Sequence, residues 1–429
     1  MYALSRNSIL LLIFFLLIGL AQAQSRQVIK CGRLIDIKNQ EILQNMSIVV
    51  EDGLISRVVK SSNEHEMTDI IDLSDCTVLP GLIDAHTHLL LQGDSTHEAY
   101  DDQILKESIP YRILRAGAAA KMSLENGFTS LRDVGNEGTM YADVDLKRAI
   151  NRGVIPGPRL QVATRALSIT GTYPVLGFSW ELDMPKGVQI VDGVDECRKA
   201  VREQCSYGAD WIKVYCDRSY YIDEDGGISS KPNFTMEELK AIVDEAHRHG
   251  IKVAAHAIGR NGIRNAIEAG CNSIEHGDGF DDQLIELAVQ KNIYWCPTML
   301  VSEYVAGPRT AAGNTFWTKM LDHLYSGFKK GVQAGMKIAL GTDAGGYPWT
   351  MNQAGELQLM VKHGMSSWQA LQAATLVPAE LMGWQDKTGS IEAGKYADIV
   401  ACKGNPLENI AELENIVFVM KDGKIYKRL

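Results

Sequence analysis

The chain has 429 residues, a hydrophobic fraction of 45% and a formal net charge of −10 at pH 7. This length allows one large domain with a smaller one, and the hydrophobic fraction is ordinary for a globular protein. The acidic balance and the lack of clustered Lys and Arg argue against a nucleic-acid-binding surface. We therefore expect a globular protein that acts on a small molecule and binds no nucleic acid.

The first 23 residues have the pattern of a secretory signal peptide. Arg6 precedes an apolar run over residues 9–20, and an Ala-Gln-Ala segment that ends at Ala23 follows with the small residues of a cleavage site. An uncleaved membrane anchor is the alternative, but the run is shorter than the roughly 20 residues of a transmembrane helix. The pattern predicts cleavage after Ala23, a secreted or periplasmic location and no stable membrane anchor in the mature protein.

Both ends of the mature chain are predicted to be rich in β-strands. Residues 24–79 contain short alternating strands with an Asp-Gly hairpin turn, and residues 385–429 return to the same pattern. Neither end is long enough to bury a stable hydrophobic core on its own. We expect them to combine into one small β-sandwich domain, with residues 80–384 inserted between them.

The inserted middle of the chain alternates short apolar strands with helical patterns. Several of the helical segments end on Gly, as helix C-caps do. Eight strand–helix units over about 300 residues are typical of a parallel (β/α)8 TIM barrel, so the predicted fold class is α/β. In such barrels the chemistry lies at the carboxyl ends of the strands.

Six side chains that can bind metals or act as bases lie in these strands or at their ends. They are His86 and His88 in the first strand, Lys213 in the fourth, His256 in the fifth, His276 in the sixth and Asp343 in the eighth. A single histidine in an apolar strand is usually a satisfied core residue, and a barrel lysine can equally pair with a carboxylate. Six such groups at one face are hard to explain as packing, because burying them without partners is costly.

These segments give the chain a clear family resemblance. Through PGLIDAHTH, TSLRDVG, ADWIKVY, VAAHA, SIEHG, GTDAG and TGSIEAGKYADIVA it resembles the amidohydrolase superfamily over nearly all of the mature protein. Within it, the chain is similar to the binuclear, imidazolonepropionase-related and prolidase-like (Xaa-Pro dipeptidase-like) group.

The resemblance implies a centre of two divalent metal ions. The ligands would be His86, His88 and Asp343 for one ion, His256 and His276 for the other, and Lys213, carboxylated to N6-carboxylysine, as the bridge. Four imidazoles with carboxylates suit zinc best, with manganese, cobalt and iron as alternatives. Two such ions would activate a shared water as hydroxide, and Asp343 would move its proton to the leaving amine. Arg132 and Asp133 are either an ion pair or a support for this centre.

Two loops hold the candidate substrate-binding residues. The segment ITGTYPVLG has Tyr173 where relatives often have a histidine near the substrate, and the long polar loop after Lys213 contains Arg218, Tyr220 and Tyr221. We expect Tyr173, Arg218 and Tyr220 to contact substrate. A tyrosine hydroxyl could stabilise the developing oxyanion, and we assign this catalytic role to Tyr221. The alternative is an ordinary solvated loop.

The sequence therefore predicts a metal-dependent hydrolase that cleaves an amide bond, as a dipeptidase or an N-acyl amino acid hydrolase. A cyclic-amide hydrolase of the imidazolonepropionase type is the alternative, although such relatives are usually mononuclear and do not need the lysine. A noncatalytic barrel that binds a ligand is a third reading, which the presence of all six positions disfavours. The substrate side chain and the oligomeric state stay open, and barrel relatives often form homo-oligomers.

Overall fold

The computed structural model describes residues 26–61, 69–93, 97–173 and 178–428. The predicted signal peptide, residues 1–23, lies outside the described residues. In the described ranges, no helix combines the length and the apolar character needed to cross a membrane.

The described chain is a mixture of strands and helices, as the α/β prediction requires. Strands β1 to β19 are Arg26–Asp36, Glu41–Glu51, Leu54–Lys60, Ile70–Pro80, Leu82–Thr87, Phe128–Asp133, Arg159–Val162, Leu167–Ser168, Gln189–Ile190, Trp211–Tyr215, Asp217–Ile222, Ile228–Pro232, Lys252–Ala257, Ser273–His276, Tyr294–Cys296, Lys337–Ile338, Ile399–Cys402, Ile416–Lys421 and Lys424–Lys427. Helices α1 to α12 are His97–Lys106, Ile109–Glu125, Ala142–Asn151, Val194–Tyr207, Met236–Arg248, Arg260–Ala269, Asp282–Gln290, Met299–Ala311, Phe316–Gln333, Gly355–Lys362, Ser367–Ala373 and Leu376–Leu381, and a 3-10 helix covers Ile410–Glu414.

Both chain ends contribute strands to one mixed sheet. Its seven strands have the order β19-β18-β17-β4-β1-β2-β3, and β4 connects the two ends by pairing in parallel with β1 and antiparallel with β17. Apolar side chains from both ends, among them Ile48, Val78 and Phe418, form a common buried cluster. The hydrogen bonds define this one sheet and do not show the two facing layers of a β-sandwich. The sandwich and the predicted domain boundaries stay predictions.

Apart from β11 and β12, which pair with each other, the strands between these ends are parallel and form two sheets. One has the order β5-β6-β7, and the other has the order β16-β15-β14-β13-β10-β8-β9. The predicted third strand, residues 159–167, links them, since its first part pairs with β6 as β7 and its last part pairs with β10 as β8. The helices between these strands pack apolar side chains onto them, so both faces of the strands are buried, as is usual in parallel sheets.

The register of the strands sets the positions of the candidate ligands. In the parallel ladder Tyr215 is opposite His256, and Ala257 is opposite His276. The carboxyl ends of β10, β13 and β14 therefore lie side by side. On β5, the carbonyl of His86 accepts a hydrogen bond from the backbone N–H of Asp343 at 2.7 Å, which fixes the segment after β16 beside the two histidines.

Candidate metal centre and its cavity

The six side chains predicted as metal ligands meet at the carboxyl ends of the parallel strands. The imidazole centroids lie 5.3 Å apart for His86 and His88, 5.0 Å for His86 and His276, and 4.5 Å for His256 and His276. Lys213 and Asp343 line the same cavity as His88, His256 and His276. The structure therefore brings all six together.

A carboxylate faces the first pair of histidines. Oδ1 of Asp343 lies 3.2 Å from Nε2 of His88 and 3.7 Å from Nε2 of His86. Potential ligand atoms of His86, His276 and Asp343 lie within 4.8 Å of one another. Imidazole nitrogens and a carboxylate oxygen at this spacing form a suitable donor set for a divalent metal ion.

Three of the histidines are held by their other ring nitrogen. Nδ1 of His88 donates to the carbonyl of Gly135 at 2.7 Å, and Nδ1 of His86 lies 2.7 Å from a carboxylate oxygen of Glu275. Nδ1 of His276 lies 2.9 Å from the hydroxyl of Thr298. Such contacts are typical of metal-binding histidines, because they fix the ring and leave Nε2 available as a ligand.

Two buried nitrogen atoms at the centre have no hydrogen-bond partner within the described ranges. They are Nζ of Lys213 and Nε2 of His86. Burial lowers the pKa of Lys213, and burial together with nearby Lys213 holds the pKa of His86 well below its usual value. Burial thus shifts both groups toward the uncharged form, in which the nitrogen has a free lone pair. A buried site of this kind fits metal ions better than it fits ordinary core packing.

The remaining candidate histidine ligands differ in the direction in which their pKa is shifted. Burial and the neighbouring His276 lower the pKa of His256, while burial and the neighbouring His86 lower the pKa of His276. Burial would also lower the pKa of His88, but the carboxylate of Asp343 outweighs it and raises the pKa of His88 to about 9. His88 and Asp343 thus form a charged pair at the edge of the uncharged imidazoles.

The backbone at two of these residues is in an unusual conformation. His276 has a φ of 70° and Asp343 a φ of 59°, which lie in the left-handed region that residues other than glycine rarely adopt. Such conformations cost free energy and occur preferentially at functional sites. Their occurrence at two candidate ligands supports a functional role for this end of the strands.

Glu275 is a central residue that the sequence interpretation missed. Its side chain is fully buried and accepts hydrogen bonds from Arg132 at 2.8 Å and from the Ser273 hydroxyl at 2.5 Å, in addition to its contact with His86. Burial alone would raise the pKa of Glu275. The positive charges of Arg132 and Lys213 outweigh this effect, so the pKa of Glu275 is lowered. The available sequence signal is an acidic residue directly before His276 in an apolar strand.

Arg132 and Asp133 support the centre through different contacts. Arg132 joins Glu275 to the backbone of β5, because its Nε donates to the carbonyl of Ala85 at 2.5 Å. Asp133 accepts a hydrogen bond from the backbone N–H of Leu89 at 2.6 Å, next to His88. Within the described ranges Arg132 pairs with Glu275 and not with Asp133. The contacts agree with the support role among the two alternatives for this motif.

All three residues predicted to bind substrate line the cavity. The hydroxyl of Tyr173 donates to Glu137 at 2.8 Å, and the hydroxyl of Tyr220 lies 2.6 Å from Nε2 of His256. The guanidinium of Arg218 lies over the rings of Tyr173 and Tyr215, at 4.4 and 5.3 Å from their centroids. Arg218 keeps solvent-accessible surface, so its charge is available to a molecule in the cavity.

The structure does not bring Tyr221 to this cavity. The predicted loop contains an antiparallel hairpin of β11 and β12, in which Tyr221 pairs with Ser229. Because successive side chains of a strand point to opposite faces, Tyr220 points to His256 and Tyr221 points away. Tyr221 is 42% exposed, outside the cavity lining. The position expected for Tyr221 is occupied by its neighbour Tyr220.

Asp278 is a second residue that the sequence interpretation missed. It lines the cavity two residues after His276 and is 1% exposed. Neither of its carboxylate oxygens accepts a hydrogen bond from another described residue. Burial raises the pKa of Asp278 to about 7.

Comparison with known proteins places this geometry in a family. The model of the amidohydrolase family matches residues 77–426 of the chain. The chain belongs to the amidohydrolase family. The predicted family resemblance is thereby confirmed, and this amidohydrolase is an enzyme that hydrolyses carbon–nitrogen (amide) bonds.

Relatives of the amidohydrolase differ in their substrates. It is similar to ochratoxinase from Aspergillus niger, with 32% identity, over 90% of this chain and 84% of the relative. It is also similar to the crystal structure of a Xaa-Pro dipeptidase with bound methionine in the active site, with a TM-score of 0.84 and 36% identity, over 94% of this chain and 100% of that one. Imidazolonepropionase from Thermoanaerobacter pseudethanolicus is 25% identical over 86% of both chains.

Proposed function

We propose that this amidohydrolase is a metal-dependent dipeptidase or N-acyl amino acid hydrolase that releases an amino acid with a free carboxylate. One observation carries the proposal, namely that the guanidinium of Arg218 lies in the same cavity as five of the six candidate ligands. A cavity with an accessible cation beside a hydrolytic centre suits a substrate that has a carboxylate near its scissile amide. The similarity to a Xaa-Pro dipeptidase supports this substrate class.

The donor set of the centre fits two divalent metal ions. We assign His86, His88 and Asp343 to one ion, and His256 and His276 to the other, with Lys213 as the bridge. Four imidazoles favour zinc over harder ions. When bound, the ions would lower the pKa of water toward neutrality and polarise the scissile carbonyl.

Lys213 is suited to carboxylation on its side chain. Burial lowers the pKa of Lys213, and its Nζ has no hydrogen-bond partner within the described ranges. The neutral amine is the form that attacks carbon dioxide, with formation of an N–C bond and loss of one proton from nitrogen. The resulting carbamate replaces a buried amine with an anion that has two oxygen donors. Such a group suits a site for dications better than an ammonium does.

Asp343 is the candidate for proton transfer. Burial alone would raise the pKa of Asp343, but the neighbouring His88 outweighs this effect and lowers it. The carboxylate is therefore ionised near neutral pH. We propose that Asp343 accepts a proton from the attacking water and then donates it to the leaving amine. Its position at the cavity surface, with a side chain that is 16% exposed, allows contact with water and substrate.

Tyr220 and Arg218 complete the proposed active site. The Tyr220 hydroxyl, next to His256, would donate a hydrogen bond to the carbonyl oxygen as negative charge develops on it. Arg218 would bind the substrate carboxylate, and the rings of Tyr173 and Tyr215 hold its guanidinium in place. Tyr173 thus positions Arg218 and also borders the substrate.

A cyclic-amide hydrolase of the imidazolonepropionase type is the second candidate. The similarity to imidazolonepropionase favours it. The buried Lys213 among the histidines favours the first candidate, because mononuclear relatives do not need a bridging lysine. The two candidates differ in whether open-chain or cyclic amides are hydrolysed.

A substrate library tests the proposed function. Metal-loaded protein is assayed against dipeptides, N-acyl amino acids and cyclic amides, and the metal content is measured on the same samples. We expect hydrolysis of open-chain amides and loss of both activity and metal in His276→Asn. His247→Asn is the matched control, because His247 lies on α5 and contacts Asn272 outside the cavity. If no open-chain amide is hydrolysed by the metal-loaded protein, the dipeptidase proposal is wrong.

We also propose that the parallel strands close into a barrel. Residues 159–168 join the two sheets at one seam. At the other seam, the backbone N–H of Ala85 donates to Leu340 at 2.8 Å, and that of His88 donates to Ala344 at 2.7 Å. Eight strands joined at both seams support a (β/α)8 barrel. A crystal structure with a gap between β5 and the segment after β16 would contradict this closure.

Export is a proposal that rests on residues 1–23 alone. A charged start, an apolar run and Ala23 at a cleavage site support secretion or a periplasmic location. Mass spectrometry of the mature protein tests it. We expect an N-terminus at Gln24, whereas an intact N-terminal segment on protein that is recovered only from the cytosol contradicts export.

A further inference from the structure

Asp278 is a buried carboxylate in the cavity wall that the proposed mechanism does not use. Its side chain is 1% exposed, and neither oxygen accepts a hydrogen bond from another described residue. Two other cavity acids have donors, since Glu137 accepts from Tyr173 and Asp343 faces His88. A buried carboxylate without a donor is costly, and a ligand that supplies a donor would offset this cost.

Apolar side chains line the cavity together with Asp278. Ile258, Trp317 and Met320 line the same cavity, and Ile258 and Met320 belong to one buried cluster with Tyr220 packed against it. Within the described ranges Asp278 belongs to no ion pair. Arg309 also borders the cavity, with its guanidinium 4.1 Å from the Trp317 ring centroid. At a buried position such as that of Asp278, attraction between a carboxylate and a bound cation is stronger than in water.

Two side chains of opposite charge, Arg218 and Asp278, line the cavity next to different neighbours. Arg218 lies against Tyr173 and Tyr215, whereas the residue after Asp278, Gly279, donates its backbone N–H to the carbonyl of Ile258 at 2.7 Å. A molecule with a carboxylate at one end and a cation at the other matches this distribution. An unblocked dipeptide is such a molecule, and an N-acyl amino acid lacks the cation.

We propose that Asp278 binds the α-ammonium group of the substrate and makes the enzyme prefer dipeptides over N-acyl amino acids. This inference rests on the proposed function, which leaves the choice between these two substrate classes open. Asp278 is then a specificity residue at the amino end of the substrate, opposite in charge to Arg218.

Matched substrates test the inference. Alanyl, lactoyl and propionyl derivatives of the amino acid that the library identifies as best differ only in an ammonium, a hydroxyl or a hydrogen at one carbon. We expect the wild type to hydrolyse the alanyl compound with a kcat/KM at least tenfold above the other two. Asp278→Asn should bring this ratio close to one by lowering the value for the alanyl compound alone. Asp225→Asn is the control and should keep the ratio, since Asp225 lies in the turn between β11 and β12 and pairs with Arg260 of α6.

Each outcome decides the inference. A wild-type ratio near one, or an unchanged ratio in Asp278→Asn, overturns it while amide hydrolysis stands. If no amide is hydrolysed, the proposed function fails. Calorimetric binding of alanyl-methionine and lactoyl-methionine to wild type and Asp278→Asn then decides about Asp278 by the ratio of the two affinities. If Asp278→Asn does not fold, the wild-type ratio alone supports or overturns the inference.

Discussion

The hydroxyl of Tyr220 lies 2.6 Å from Nε2 of His256, which places a hydrogen-bond donor beside one of the candidate metal ligands. The next residue, Tyr221, has its side chain on the other face of the same strand and is 42% exposed. Two adjacent tyrosines therefore differ in their access to the cavity, although both have the same chemistry.

This difference gives a matched pair of variants. Tyr220→Phe removes the proposed oxyanion donor and should lower kcat by about 10²- to 10³-fold, the usual effect of removing one such donor. Tyr221→Phe should leave kcat unchanged, because its hydroxyl lies outside the cavity. Steady-state kinetics with the best library substrate measures both. Equal losses in the two variants would show that the hairpin acts through its fold and not through the Tyr220 hydroxyl.

Lys213 should be replaceable in part by an external carboxylate. Lys213→Ala removes the proposed carbamate and should reduce both activity and metal content, because a bridging anion is lost. Added formate or acetate should restore part of the activity, since either can occupy the space left by the side chain and supply carboxylate oxygens. His276→Asn should show no such rescue. An unchanged activity of Lys213→Ala would contradict the role of the lysine.

Arg218 should act on the carboxylate of the substrate. Arg218→Gln should lower kcat/KM about 10- to 100-fold for substrates with a free carboxylate, since a charge-assisted hydrogen bond contributes about 1.5–3 kcal/mol. The same substrates with a terminal amide in place of the carboxylate should lose little. Arg202→Gln is the control, because Arg202 pairs with Glu245 away from the cavity. An equal loss of kcat/KM for both substrate forms would show that Arg218 supports the fold and does not bind the substrate carboxylate.

Glu275 should be important for stability as well as for the metal centre. Glu275→Gln leaves Arg132 as a buried charge without its carboxylate partner, which should cost about 3–5 kcal/mol of unfolding free energy. Asp282→Asn removes an exposed pair with Lys330 and should cost at most about 1 kcal/mol. Denaturant unfolding of metal-free protein measures both. Similar costs for the two variants would contradict the account of the buried pair.

The candidate metal ligands could be predicted because the position of each side chain depends only on the strand that contains it. His86 and His88 share a face through their spacing, and a residue near the carboxyl end of a parallel strand faces the cavity wherever the strand lies. Glu275 was not predictable in this way, because its role depends on Arg132, which lies 143 residues away in the sequence. Tyr220 and Tyr221 could not be distinguished, since the face of each depends on a hairpin register that the polar loop sequence does not fix.

Glu356 should make stability fall as pH rises. Burial raises the pKa of Glu356 from 4.5 to about 8, against the hydrogen bonds from the backbone of Met299 and Leu300. The folded state therefore keeps a proton that the unfolded state has lost, and this stabilising contribution disappears between about pH 4.5 and pH 8. Glu356→Gln does not titrate, so its stability relative to wild type should improve by a few kcal/mol from pH 5 to pH 8. Unfolding at both pH values checks this, and parallel pH profiles would contradict it.

The most direct test of the central claim is a metal titration of metal-free protein, with zinc added in steps while bound metal and amide hydrolysis are measured together. The six side chains predict that activity rises up to two bound ions per chain in the wild type. Lys213→Ala and His276→Asn should bind fewer than two ions per chain and should have lower activity than the wild type. Full activity in metal-free protein, or saturation at one ion with Lys213→Ala as active as wild type, would contradict the account.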